Sequence, residues 1–233
     1  SLVGSEMCIR DRLGRALLRQ MKQEETLHNV LTTDMDVDIT DMQQVSRYAG
    51  STRPNVIINC AGMTDVAACE ADMVGAYKVN ALGARNVAAA ARMVDAKIIQ
   101  LSTDDVFSGE RQDALTEFDA AVPNTVYGKS KLAGEMLVRE LNPKHLVIRS
   151  SWMYGDGKNF VSELLDKIKA GEEVRVAYDQ VSTPTSTDAL ARGILELMES
   201  EEYGVYHASC EGFCSRYDSV SYTHLTLPTT PYV

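Results

Sequence analysis

Apolar and polar positions along this chain alternate between two periods, and the alternation predicts an architecture. Leu13, Ala16, Leu17 and Met21 recur at helical spacing, with Gly14 at the entrance. "HNVLTT" (28–33) is a short β-like run, and "DITDMQQVSRYAG" (38–50) offers an N-cap, a helical pattern and a closing glycine. "NVIINCAG" (55–62) is continuously apolar, as a parallel strand is when both of its faces are covered. An alanine-rich helix is predicted over 72–94 and a strand over 96–102. A loop with Gly109 and Pro123 leads to a helix over 126–141, a strand over 145–151 and a helix over 159–171. Strands alternating with helices imply βαβ units with right-handed crossovers. The expected fold is α/β, a Rossmann-like doubly wound parallel sheet. Residues 1–150 are read as a dinucleotide-binding domain and 151–233 as a small, partial substrate lobe.

Composition narrows the partners. A length of 233 residues fits one large α/β domain or a nucleotide-binding lobe with a smaller one. A net charge of -10 argues against a general nucleic-acid binder, because nothing balances the phosphates. A small anion remains accessible to helix N-termini and a few local cations. No stretch approaches the roughly 18 apolar residues of a membrane span. Glu6, Arg10, Asp11 and Arg12 interrupt any apolar signal core. Cys8, Cys60, Cys69, Cys210 and Cys214 form neither a CxxC pair nor a Cys/His metal set, which fits thiols in a reducing compartment. A cytoplasmic protein with no metal is expected.

The helix at 126–141 places Tyr127 and Lys131 four residues apart, on one face. The spacing alone also fits an exposed Tyr/Lys pair on a solvated face. Two neighbours change the picture. The strand before it ends in "LSTDDVF", which puts Ser102 and Thr103 at a carboxyl edge, where open α/β sheets bind ligands. Another strand ends in "NCAGMTD", whose Ala61, Gly62 and Met63 let a flat cofactor approach the backbone. Either segment by itself is explained by a turn after a buried strand; the three in this order suit ketone–alcohol redox chemistry. A nearby ammonium is expected to lower the phenol pKa. Thr103 would donate to the carbonyl oxygen while Tyr127 supplies the proton. Lys131 would also hold a ribose hydroxyl and fix a nicotinamide for hydride delivery.

From about Leu13 to Asp218 the chain resembles the dTDP-4-dehydrorhamnose reductase family of extended short-chain dehydrogenases. The resemblance is carried by "STDDVF", "VYGKSKLAGE", "RSSWMYG", "DQVSTPTSTDALA" and "YGVYHASCEGFCSRYD". It implies a catalytic set of Thr103, Tyr127 and Lys131, and reduction of a dTDP-linked 4-keto-6-deoxy sugar by NADPH or NADH. Asp104, Trp152, Asn159 and Thr185 are the candidates for the substrate side. For Trp152 a core position between lobes is an equal alternative. A homodimer is compatible with this reading. Two other functions stay open: a sugar-nucleotide epimerase, against which the 179–191 segment argues, and a non-catalytic nucleotide-binding relative of the methionine adenosyltransferase β-subunit type.

Two departures from the family pattern stand out. Asp105 takes the place of the tyrosine in "STDYVF". A GxxGxxG turn ending at Gly14 needs glycines at 8 and 11, where Cys8 and Asp11 stand; their side chains are expected to weaken pyrophosphate binding. Residues 1–12 and 219–233 resemble translated sequencing-adaptor sequence around a native middle, with divergent natural termini as the alternative. Asp34, twenty residues after Gly14, fits either a ribose 2′-hydroxyl contact or a turn aspartate. Asp38 and Ile39 match family positions near the adenine. The choice between NADH and NADPH stays open.

Overall fold

A computed structural model describes residues 12–23, 29–33, 36–111, 113–157, 160–172 and 176–219. In chain order these form helix α1 (Arg12–Gln23), α2 (Met42–Thr52), strand β1 (Val56–Asn59), and the short helices α3 (Val66–Ala71) and α4 (Met73–Tyr77). A π-helical turn (Lys78–Gly83) runs into α5 (Ala84–Met93), followed by β2 (Lys97–Thr103), α6 (Val126–Leu141) and β3 (His145–Ser150). The rest comprises β4 (Met153–Tyr154), α7 (Phe160–Lys169), β5 (Val181–Ser182), β6 (Thr185–Ser186), α8 (Thr187–Glu199), β7 (Gly204–His207) and β8 (Cys214–Ser215).

The main sheet is parallel throughout, in the order β1-β2-β3-β7. Its side chains alternate between two cores. Ile57, Ile98 and Val147 face one way, against α2, α5 and Val138 of α6. Ile58, Ile99, Leu146 and Ile148 face the other, against Leu13 and Leu17 of α1 and Leu190 and Ile194 of α8. Covering both faces with helices explains why β1 and β2 read as unbroken apolar runs. This is the expected doubly wound, Rossmann-like α/β fold. Arginines on one face of α1 fasten it to the chain beyond β3. Arg12 Nη1 donates to the Met153 carbonyl at 2.8 Å, and Arg19 pairs with Asp156 and Asp188. Beyond the carboxyl edge of the sheet, β4 pairs with β6 and β5 with β8.

Three local readings need correction. Among residues 29–33 only an isolated bridge at Thr32 is present, in place of the β-like run. Gly50 does not close α2, which continues to Thr52. Arg53 then adopts φ 44 and donates its N–H to the Ala49 carbonyl. The helix expected over 72–94 is divided into α4, the π turn and α5. The wider turn directs Asn80 inward, where its side chain bonds outside the helix, and such turns often mark functional sites. Periodicity did not show it, because one extra residue in one turn hardly changes a hydrophobic stripe.

Residues 1–11 and 220–233, which include Cys8 and Asp11, lie outside the described residues, as do Asp34 and Asn159. Among the described residues no helix is long and apolar enough to cross a membrane. No group of three or more His, Cys, Asp and Glu side chains gathers as a metal site among them. Cys60, Cys69, Cys210 and Cys214 are free thiols.

Candidate active site

The carboxyl ends of β1 and β2 and the first turns of α6 meet at one place. Thr125 caps α6, its hydroxyl accepting from the Gly128 N–H at 3.0 Å, so Tyr127 and Lys131 lie in the first two turns. Gly128 is required here. A Cβ on it would collide with the Asp105 carbonyl oxygen, so only glycine lets α6 approach the end of β2 this closely. Gly128→Ala is expected to push α6 away, lowering Tm and cutting kcat with little change in fold. Thermal melting together with steady-state turnover checks this.

Tyr127 is buried against Cys69 and Ala76, and its phenol feels the Thr103 side chain and the Asp105 and Asp104 carboxyls. Lys131 donates from Nζ to the Leu101 carbonyl of β2 at 2.6 Å. The three members of the expected catalytic set are thus brought together. The electrostatics differ from the expectation of an acidified phenol. Burial pushes Tyr127 well above the ordinary tyrosine value, the Thr103 side chain opposes this, and Asp105 and Asp104 add to the rise. The group is a neutral phenol at neutral pH, which is the form that donates a proton.

Two carboxyl groups flank Thr103. Its hydroxyl lies 3.2 Å from Asp104 Oδ1 and 3.4 Å from Asp105 Oδ2, and it accepts from the Asp105 N–H at 3.2 Å. Asp104 Oδ2 also accepts from Ser182 Oγ at 2.6 Å. Burial raises both carboxyls above the usual carboxylate range, with the Ser182 and Thr103 bonds opposing it at Asp104 and Thr103 and Arg216 opposing it at Asp105. Asp105, which departs from the family pattern, is therefore part of the site.

Asn80 joins the halves of the site, and no sequence motif pointed to it. Its Oδ1 accepts from the Met63 N–H at 2.8 Å, and its Nδ2 donates to the Met63 carbonyl at 3.0 Å and to Ser130 Oγ at 2.9 Å. Ser130 Oγ in turn donates to the Tyr127 carbonyl at 2.8 Å. The loop after β1 is thereby clamped to α6. A Cβ built on Gly62 would lie 3.6 Å from Lys131 Nζ and 3.1 Å from Asn80 Oδ1, so its absence leaves room above the backbone of Ala61, Gly62 and Met63. Ser102 is buried, and its hydroxyl has no hydrogen-bond partner among the described residues. Together these features form a cradle that fits a flat, polar cofactor beside Lys131.

The other expected contacts divide. Gly14 is buried within the first turn of α1. Asp38 is exposed and caps its own turn, accepting from the N–H and hydroxyl of Thr40. Ile39 is fully buried, packed on Gly83, with its carbonyl accepting from Asn86 Nδ2 at 2.9 Å. Thr185 is buried, and its hydroxyl donates to the Thr183 carbonyl at 3.1 Å. Its N–H donates to the Trp152 carbonyl at 3.2 Å, so it holds Trp152 rather than facing open space. Trp152 is partly exposed and has φ 30, a strained backbone costing about 1–3 kcal/mol that β4–β6 pairing maintains. It is not a core residue.

A buried ion pair supports α6 from below. Arg149 of β3 binds Glu135 of α6 through Nη2 at 2.7 Å and Nε at 3.0 Å, and its guanidinium lies 5.2 Å from the Phe107 ring centroid. The strand pattern "HLVIRSS" gave no sign that its arginine points inward.

The RmlD substrate binding domain family model matches residues 9–223, taking in short stretches at either end that the sequence pattern had assigned to foreign ends. The chain is 38% identical over 208 residues to the Bacillus subtilis spore coat polysaccharide biosynthesis protein SpsK, covering 89% of this chain and 73% of that one. The crystal structure of a dTDP-4-dehydrorhamnose reductase from Clostridium acetobutylicum superimposes with a TM-score of 0.88 at 43% identity, covering 94% of this chain and 78% of that one. The Bacillus anthracis dTDP-4-dehydrorhamnose reductase, solved in complex with NADP, gives 0.88 at 37% identity, with 95% and 80% covered. With the Thr103–Tyr127–Lys131 arrangement at the sheet's carboxyl edge, these matches place the chain in the RmlD substrate binding domain family, that of the dTDP-4-dehydrorhamnose reductases.

Proposed function

We propose that this chain reduces the 4-keto group of dTDP-4-dehydro-6-deoxy-L-mannose to dTDP-L-rhamnose at the expense of NADPH or NADH. The observation that carries the reading is the buried Tyr127 phenol near Thr103, on the helix it shares with Lys131, whose amine lies beside Gly62. The nicotinamide cofactor supplies the hydride when bound. The backbone of Ala61, Gly62 and Met63, the Ser102 hydroxyl and Lys131 would hold it. Thr103 and Tyr127 receive the carbonyl oxygen of the sugar. Thr103 donates a hydrogen bond to it, and Tyr127 passes its phenolic proton to the oxygen as negative charge develops there. Lys131, four residues on from Tyr127 along α6, is held by the Leu101 carbonyl beside Gly62, where it would position the cofactor.

The remaining site residues concern orientation and partners. Asp104 and Trp152 lie on the substrate side. Of the other expected contacts, Asn159 is a candidate for the same side, and Asp34, by its place twenty residues after Gly14, is a candidate for the cofactor ribose with a turn aspartate as the alternative. A homodimer is compatible with this reading, and a cytoplasmic location fits a chain acting on nucleotide sugars. A spectrophotometric assay tests the function: NADPH or NADH oxidation dependent on the keto sugar is expected, with titration of each cofactor fixing the preference. Cofactor-dependent interconversion of a UDP-hexose, without keto-sugar reduction, would favour the epimerase reading.

A further inference from the structure

Arg216 stands beside Trp152, within electrostatic reach of Asp105 and Asp104. Its guanidinium carbon lies 4.4 Å from the ring centroid of Trp152 and 4.5 Å from that of Phe160, so two aromatic rings pack near it. Its Nε donates to Gln180 Oε1 at 3.0 Å, and its backbone N–H donates to the Gln180 carbonyl at 3.1 Å. Among the described residues Gln180 is its one side-chain hydrogen-bond partner, and no carboxylate forms an ion pair with it. Both terminal NH₂ groups thus remain available, in the planar fork that suits bidentate phosphate binding.

The location ties this arginine to the reacting centre. Arg216 directly follows β8, whose Cys214 pairs with Ser182 of β5, and Ser182 donates to Asp104 beside Thr103. Asp104 and Asp105 both act on the Arg216 charge. Two carboxyl groups next to the keto-sugar position would repel a dianionic diphosphate, so a fixed cation between them and the nucleotide is what such a substrate needs. A mobile lysine would lose more conformational freedom on binding; stacking and the Gln180 bond have already ordered this fork.

We propose that Arg216 binds the diphosphate of the sugar nucleotide, with Trp152 and Phe160 holding the guanidinium in place. The proposal rests on the reductase reading above and adds to it the group that recognises the substrate's charge. Calorimetric titration of the unaltered chain, Arg216→Gln and Arg216→Lys with dTDP, thymidine and NADPH tests it. For Arg216→Gln, dTDP affinity is expected to fall about 10- to 100-fold, with thymidine and NADPH affinities and Tm unchanged. Arg216→Lys should recover part of the loss, and added salt should weaken dTDP binding more in the unaltered chain than in Arg216→Gln.

Unchanged dTDP affinity in Arg216→Gln overturns the proposal and leaves the reductase reading intact. Equal losses for dTDP and thymidine, or a lowered Tm, also overturn it, since they show a structural role. If the unaltered chain binds no dTDP the proposal fails as well, and keto-sugar-dependent NADPH oxidation then decides separately whether the reductase reading falls with it.

Discussion

Tyr127→Phe is expected to lower kcat about 10²- to 10⁴-fold, the usual contribution of a positioned acid-base group, while leaving the NADPH dissociation constant within about twofold. The substitution removes one oxygen and keeps the ring that packs on Cys69 and Ala76. Melting temperature should therefore hold. Steady-state kinetics with the keto sugar and a fluorescence titration with NADPH separate the two effects. A variant that turns over like the unaltered chain would remove Tyr127 from the chemistry. The direction of the pKa shift sharpens the expectation. Burial raises the phenol above its ordinary value, so the proton-bearing form persists across the neutral range. The reduction should stay active as pH rises through neutrality, until deprotonation of the phenol removes the donor.

Glu135→Gln is expected to destabilise the fold by about 3–5 kcal/mol, because it strands the Arg149 guanidinium without an anion in the interior. Both side chains are almost wholly buried, at 1% and 6% exposed, and the contact at 2.7 Å joins α6 to β3. For a domain of this size the loss corresponds to roughly 6–20 °C in Tm. Differential scanning calorimetry reads it directly. The double variant Glu135→Leu/Arg149→Met should recover most of the loss, since apolar replacement of a whole buried pair is often neutral or better. If the single variant melts within a degree of the unaltered chain, the pair does not secure α6. Activity should fall with stability here, because α6 carries both Tyr127 and Lys131.

The particular elements show how much was legible. Helix α6 was read from the sequence with the bounds the structure gives it, and β1, β2 and β3 within a few residues. These segments have strong local signals: a capping threonine, a helical stripe, or apolar runs too short and too β-branched for a helix. The segment 28–33 had a weaker signal, and its bridge at Thr32 depends on a partner elsewhere in the chain. That Thr103, Tyr127 and Lys131 would meet was legible because a helical i, i+4 pair and a strand end are local facts, and topology sends strand ends to one edge. The pKa direction at Tyr127 was not. It depends on how deeply the ring is buried, which spacing does not encode.

The sequence by itself determined the parallel α/β plan, the pairing of Tyr127 with Lys131 on one helix face, and the family. Each follows from periodicity or from motifs contained in short stretches of chain. Only the tertiary structure decided what the polar residues between those motifs do. Asn80 lies 50 residues from Ser130, Arg149 lies 14 from Glu135, and Asp104 lies 78 from Ser182, yet each pair is in hydrogen-bond contact. Ile39, matched in sequence to an adenine site, and Thr185, a candidate for the substrate side, are both buried, and their hydrogen bonds run to Asn86 and Thr183. The physical reason is common to all of these. A side chain's partner, burial and charge environment are set by which elements the fold brings against it, and that closure spans separations over which one-dimensional patterns carry no signal.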